Sequence, residues 1–490
     1  MANYDYDIGI IGGGAAGLTV ASGAAQLGAK ALLIEKEKEL GGDCLHFGCV
    51  PSKTLIKTAH VYHTMKNAKE FGLPSIEIPP VDFSQISNRI KSVISVIQKH
   101  DSEERFCDLG AKVIFGNPEF TDEHEISLNG KKYSAKNWVI ATGSSAFIPQ
   151  IEGLDKTPFI TNREIFYLDK LPHSMIIFGG GPIGCEMGQA FNRLGTKVVI
   201  IDRNSHILGK EDQDMALSVM EAMKSEGVIF HLNSSIESVK LASDLSGEKE
   251  VLIKEENSTL KTLRAETILL ASGRTPNIEG LGLDKIEVKT NRNGVVVDKR
   301  LRTSQKHIYA AGDVSGGFQF THVAGYQGGI VISNAIFHIP RTTDYRWLPW
   351  CTFTEPSLGS IGMNEKMAKA AEIDYRVLSE EFKSNDRSLA DGKKIGRIKM
   401  LIDKKERPIG VQILGDNAGD LLGEWIATLN GKVKLSTIAS AIHPYPTVGE
   451  INKKVAGSLF APKIFSEKIK KGLKFFFNLK GRACGTNVCE

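Results

Sequence analysis

No stretch of this 490-residue chain is apolar for the ~20 consecutive residues that a membrane-spanning helix needs. Cysteine is scarce. Its 7 residues are too few for a disulfide-stapled scaffold, and four of them fall in two spaced pairs. An excess of one charge is also missing, and a net charge of +4 excludes the strongly basic surface that would mark a nucleic-acid partner. The opening, MANYDYDIGIIGGG, runs straight into a strand pattern with no secretory signal ahead of it. The expectation is a cytoplasmic protein, where a structural disulfide is disfavoured and a catalytic one is not. With 41% hydrophobic and 24% charged residues, the composition is that of an ordinary globular protein, and the length suggests about three domains.

What is present centres on GGDCLHFGCVPSK, residues 41–53. Five residues of ideal helix rise about 7.5 Å, beyond the usual Cα separation of about 7 Å for a disulfide. Joining Cys44 to Cys49 therefore needs a distorted turn, which Gly48 can supply. The pair is either two unrelated thiols or a redox switch.

One design occurs twice along the chain. DIGIIGGG leads into Gly12, Gly14 and Gly17, a helical run, and the strand ALLIE ending at Glu35. MIIFGGGPIG supplies Gly179, Gly181 and Gly184, followed by a helix and KVVIID ending at Asp202. The acid follows the first glycine by 23 residues in both copies, Gly12 to Glu35 and Gly179 to Asp202. Strand, glycine turn, helix, strand and acid make a dinucleotide-binding unit. The bare turn lets backbone N–H groups at a helix N-terminus approach a pyrophosphate, and the acid accepts from a ribose hydroxyl. Further strands end in small residues: WVIATG, ILLASG running into RTPN, and IYAAGD. From about Trp347 the alternation in RIKMLID and PIGVQILGD predicts antiparallel strands, with helices around 417–429 and 433–442.

In this order the motifs resemble the class I pyridine nucleotide–disulfide oxidoreductases, over roughly residues 5–455. The resemblance implies an α/β fold with two Rossmann-like dinucleotide-binding domains, for FAD and NAD(P), and an α+β C-terminal dimerisation domain. The implied boundaries are 1–150 and 281–346 for the FAD-binding and central parts, 151–280 for NAD(P), 347–458 for the interface, and 459–490 for a basic tail. It implies that Gly12, Gly14, Gly17, Glu35, Gly42, Lys53, Thr142, Gly143, Asp313 and His322 serve FAD. Gly179, Gly181, Gly184 and Asp202 would hold the nicotinamide dinucleotide, with Gly273 and Arg274 as further cofactor contacts. Lys53 and Glu186 would pair beside the flavin and favour a thiolate at Cys49. Cys49 would face the flavin and Cys44 the substrate, in a homodimer whose active site both subunits share. Asp202 favours NAD(H) over NADP(H), because a carboxylate repels a 2′-phosphate; Arg203 beside it argues the other way.

Three features depart from the family. Its disulfide reductases carry His-Pro-Thr-x-x-Glu near the C-terminus, whereas HPYPTVGE places Tyr445 at the acid/base position, with His443 two residues earlier and Glu450 at the orienting acid. Tyr, near pKa 10, is a poor substitute for a group titrating near 6.5. This favours a mercuric-reductase-like acceptor, a thiophilic metal ion, small disulfide or redox protein, over dihydrolipoamide. Second, Cys484 and Cys489 repeat the spacing of the main pair, as a transient metal site, a relay, or idle thiols. Third, residues 459–482 read as a basic amphipathic helix that either packs on the dimer or lies peripherally at the inner face of a membrane, where a quinone would be an alternative acceptor.

Overall fold

A computed structural model describes residues 4–244 and 246–483. Two compact units emerge. One comprises the chain through Lys210 together with Met220–Tyr345; the other comprises Glu211–Val219 together with the chain from Arg346 onward.

The first unit holds two nucleotide-type sheets. Tyr6–Ile11 is paired in parallel with Ala31–Glu35 on one side and Lys131–Ile140 on the other. Ala111–Phe115 extends the first edge, and Ile308–Ala310 returns from far along the chain to pair with Lys131–Ile140. Ile10 thus lies between Leu33 and Val139, all three fully buried. Continuous burial on both faces explains why these strands read as unbroken apolar runs. The second sheet runs Ile229–His231, Lys197–Ile201, Ser174–Phe178 and Thr267–Leu270, all parallel.

Each fingerprint helix packs onto its strand through a side-chain-free contact. A Cβ on Gly17 would lie 1.8 Å from the Gly12 carbonyl oxygen, and one on Gly184 would lie 1.9 Å from that of Gly179. The third glycine is therefore demanded by helix–strand packing in both copies.

The second unit is an antiparallel sheet in the order Pro349–Thr352, Ser357–Gly362, Pro408–Gly415, Arg397–Ile402, Arg376–Glu381, with helices Ala418–Asn430 and Glu450–Ser458 packed against it. Glu211–Val219, which the sequence assigns to the nucleotide domain, belongs here. Glu211 is buried and accepts from Ser360 Oγ at 2.7 Å and Gln412 Nε2 at 2.9 Å. Asp212 meets the buried Lys399 ammonium at 2.6 Å, and Lys399 also reaches Asp214 and Glu365 at 2.9 and 3.0 Å. A buried cation with three carboxylate partners anchors the segment, because breaking such a pair leaves an uncompensated charge. Among the described residues no helix is long and apolar enough to cross a membrane.

Gly184→Ala is expected to cost about 1–3 kcal/mol by overpacking, read as a lower urea midpoint. Gly181→Ala, three residues earlier, is the control. Its Cβ would meet nothing within 4 Å, and the midpoint should move by less than about 0.5 kcal/mol.

Candidate active site

The two acids do more than wait for a ribose. Glu35 Oε2 accepts from the Gly13 amide at 2.6 Å, and Asp202 Oδ2 accepts from the Gly180 amide at 2.6 Å. Each carboxylate braces its own glycine turn, and lone pairs remain for a hydroxyl. The middle glycines have the opposite character to the third. Gly181 faces open space, and the nearest atom to a Cβ on Gly14 would be the Gly42 Cα at 3.8 Å. These are cradles that a side chain would fill, at the starts of helices Ala15–Gln26 and Pro182–Leu194. The residues present therefore fit a dinucleotide in both copies. Gly42 is explained too, since a Cβ on it would lie 2.7 Å from the Gly14 Cα.

The thiol pair sits where a helix breaks. Gly42–His46 ends, Phe47 and Gly48 leave helical geometry, and Cys49–Lys66 begins. Gly48 lies close over the first segment: an added Cβ would be 2.9 Å from the Asp43 carbonyl oxygen and 3.3 Å from the Cys44 Cα. The broken turn's carbonyls are taken up elsewhere. Asn162 Nδ2 donates to Phe47 O at 3.0 Å, and the Tyr167 hydroxyl donates to His46 O at 2.8 Å. Cys44 is half-buried and Cys49 exposed.

The neighbouring Cys44 thiol is the main reason that Cys49 is lowered to about 6. Burial opposes the shift, while the Thr321 hydroxyl, 3.3 Å away, and the Lys53 charge assist it. Cys44 moves the other way, upward, because of the Cys49 sulfur beside it and its own desolvation. Lys53 Nζ meets Glu186 Oε2 at 2.6 Å, Glu186 being almost wholly buried.

A polar network missed in the sequence surrounds this turn. Arg274 donates to Asp43 Oδ2 at 2.9 Å, Ser144 O at 2.7 Å and Ser144 Oγ at 2.6 Å, and Ser144 Oγ donates to Asp313 Oδ2 at 2.6 Å. Arg274, expected at a cofactor, is thus bonded to protein groups beside Cys44. Burial raises the Asp313 carboxyl, with Ser144 and Arg274 opposing. Thr142 Oγ1 donates to Asn277 O at 2.6 Å and Asn277 Nδ2 returns to Thr142 O at 2.9 Å, which joins the strand ends of ATG and RTPN. Gly143 and Gly273 both have positive φ within these joined ends. His322 is exposed and stacks on Phe320, ring centroids 5.2 Å apart.

Tyr445, Glu450 and His443 all lie in the C-terminal unit. Tyr445 is 71% exposed, and its hydroxyl donates to Asp386 Oδ2 at 2.8 Å, which raises its pKa. Glu450, expected as its orienting acid, instead opens the helix Glu450–Ser458. His443 lies inside: Nε2 is 3.1 Å from Glu424 Oε1, and Nδ1 is 3.4 Å from the Ala441 carbonyl. Cys484 and Cys489 lie outside the described residues.

Comparison with known proteins follows this geometry. The family described as pyridine nucleotide-disulphide oxidoreductase matches residues 6–328, and its dimerisation domain matches residues 348–456. A mercuric reductase of Bacillus cereus is 32% identical over 452 residues, covering 91% of this chain and 70% of that protein. A dihydrolipoyl dehydrogenase of Geobacillus stearothermophilus is 32% identical over 454 residues, covering 91% and 94%. Among solved structures, a Cu(II) complex of the HOCl-induced flavoprotein disulfide reductase RclA from Escherichia coli aligns with a TM-score of 0.82. It is 27% identical and covers 94% of this chain and 100% of that one.

Because the Cys44 thiol is the largest influence on Cys49, Cys44→Ala should move Cys49 up toward the ordinary thiol range near ~8.5. In the parent, iodoacetamide alkylation of Cys49 should rise through a midpoint near 6. In the variant the midpoint climbs, and the rate at neutral pH falls. Thr321→Val should move it in the same direction by less. An unmoved midpoint in Cys44→Ala would show that the Cys44 thiol does not hold the thiolate.

Proposed function

The chain belongs to the pyridine nucleotide-disulphide oxidoreductases, and from that premise we propose that its acceptor is a thiophilic metal ion rather than dihydrolipoamide. It is a flavoprotein enzyme of the type that includes mercuric reductases, dihydrolipoyl dehydrogenases and RclA, using FAD and a pyridine nucleotide, and its matched dimerisation domain indicates a homodimer. A bound FAD would supply the two-electron relay between a nicotinamide hydride and the Cys44–Cys49 pair, which would take up the electron pair in its disulfide form and become two thiols.

The observation that carries the reading is the state of the C-terminal acid/base candidates. Position 445 holds an exposed Tyr whose hydroxyl is bonded to Asp386, and both ring nitrogens of His443 have partners within their own unit. Tyr445 offers no imidazole nitrogen to take a dithiol substrate's protons near neutral pH, and His443, two residues earlier, has Nε2 on Glu424 and Nδ1 near the Ala441 carbonyl. A soft metal ion needs no such base. Cys49 is already disposed to be a thiolate, and metal binding displaces the remaining proton from Cys44. Mercuric reductases stand among the relatives, as do dihydrolipoyl dehydrogenases at the same identity, so the preference for a metal rests on the C-terminal residues.

For the nucleotide, NAD(H) is the better fit. The Asp202 carboxylate sits at the end of strand Lys197–Ile201 beside the second glycine turn, where it favours a free 2′-hydroxyl, and Arg203 is exposed. The shared dimeric active site is part of the same proposal, with Lys53, Glu186, Cys44 and Cys49 from one subunit and the Tyr445 region from the other.

The test is NADH-driven turnover of the purified holoenzyme against Hg(II), lipoamide and small disulfides. Hg(II) should be reduced fastest. Tyr445→His should raise lipoamide turnover at neutral pH, by up to about 10²-fold, while leaving Hg(II) turnover no faster. Fast lipoamide turnover by the parent that survives Tyr445→Phe would overturn the reading.

A further inference from the structure

The last described helix carries none of the residues assigned to the redox site. Glu450–Ser458 buries Ile451, Val455 and Ala456 in the core of its unit. The short turn Ala461–Ile464 is tied back by Lys463 to Glu406 at 2.6 Å. Beyond it, Glu467–Phe477 starts on a Ser466 cap, runs through Gly472, ends at Asn478 and buries no residue.

Its two faces differ sharply. Ile469, Leu473 and Phe476 recur four and three residues apart and so share one side, with Phe477 at its edge. Glu467, Lys471 and Lys474 occupy the other side, Lys470 borders Phe477, and Phe475 stands between Lys468 and Lys471. Phe475, Phe476 and Phe477 are 83%, 77% and 70% exposed. At about 100° per residue these three rings sweep about 200° of the helix surface, wider than the single stripe that a groove receives. Leu459 to Arg482 carries six lysines and one arginine against one glutamate.

We propose that Glu467–Phe477, with the basic residues around it, is a peripheral anchor that lies in the interface of a bilayer rich in anionic lipid. The local charge selects this occupant, since Leu459 to Arg482 is strongly basic while the chain as a whole, and so a second copy of it, is close to neutral. An anionic surface complements the lysines, and the interfacial layer takes rings that point over a wide arc. The anchor is independent of which acceptor the enzyme reduces.

The experiment is flotation of full-length holoenzyme with phosphatidylcholine vesicles, alone or with phosphatidylglycerol. Binding is expected only with the anionic lipid and should weaken as salt rises. Phe475→Ser/Phe476→Ser should abolish it, and Lys471→Glu/Lys474→Glu should weaken it about tenfold or more. Flavin content and thermal unfolding report that each variant's body is intact. Three outcomes overturn the proposal: no flotation of the parent, flotation indifferent to the phenylalanines, or variants that change the native mass while flotation persists. The last would make the helix a contact between copies.

Discussion

The ion pair between Lys53 and Glu186 sets the frame of the site. Lys53 lies on the helix that Cys49 opens, and Glu186 on the helix that follows the second glycine turn. Glu186 is buried while Lys53 keeps about a third of its side chain exposed, so removing the lysine would leave a buried carboxylate without its cation. One bond of 2.6 Å therefore fixes the thiol-bearing helix against the nucleotide-bearing one. The pair also limits its own effect on the thiol. Lys53 lowers Cys49 while Glu186 raises it, so the thiolate cannot rest on the lysine alone.

What holds the thiolate instead is the other sulfur. Cys44 rises as Cys49 falls, each shifted chiefly by the other. Geometry makes this possible. A continuous helix would carry the two residues apart, whereas the break at Phe47 and Gly48 folds one segment's end against the next segment's start. The break persists because Asn162 and Tyr167 accommodate carbonyls that a helix would otherwise satisfy internally. Reactivity at Cys49 thus depends on residues more than 100 positions away.

This is also where sequence reading stops. The glycine turns, their acids and the thiol spacing are local patterns with steric causes, and the α/β fold was legible from them. Arg274 stands in an obvious motif, yet its partners Asp43, Ser144 and Asp313 come from three separate stretches. Thr321 reads as a helix start until Cys49 is placed beside it. Nothing in EDQDMALSV indicates that Glu211–Val219 leaves its neighbours for another unit; that follows only from the burial of Lys399. The position of Tyr445 was readable, but its bond to Asp386 rather than to Glu450 was not, because the partner lies 59 residues away.

The two glycine turns, near copies in sequence, differ in what surrounds them, and the difference bears on how each would hold its nucleotide. The Gly14 cradle has the Gly41–Gly42 turn against it, with the Gly42 Cα 3.8 Å from where a Cβ would stand. That turn belongs to the thiol motif, so whatever lies at Gly14 is enclosed by the same residues that position Cys44. The Gly181 cradle has no neighbour within 4 Å. On the proposed assignment, the enclosed turn suits a group that stays through many turnovers, and the open one suits a group that must enter and leave in each. A third pressure acts on both. The acid that braces each turn also offers the remaining lone pairs, so ligand entry at the open site need not rebuild the turn it enters.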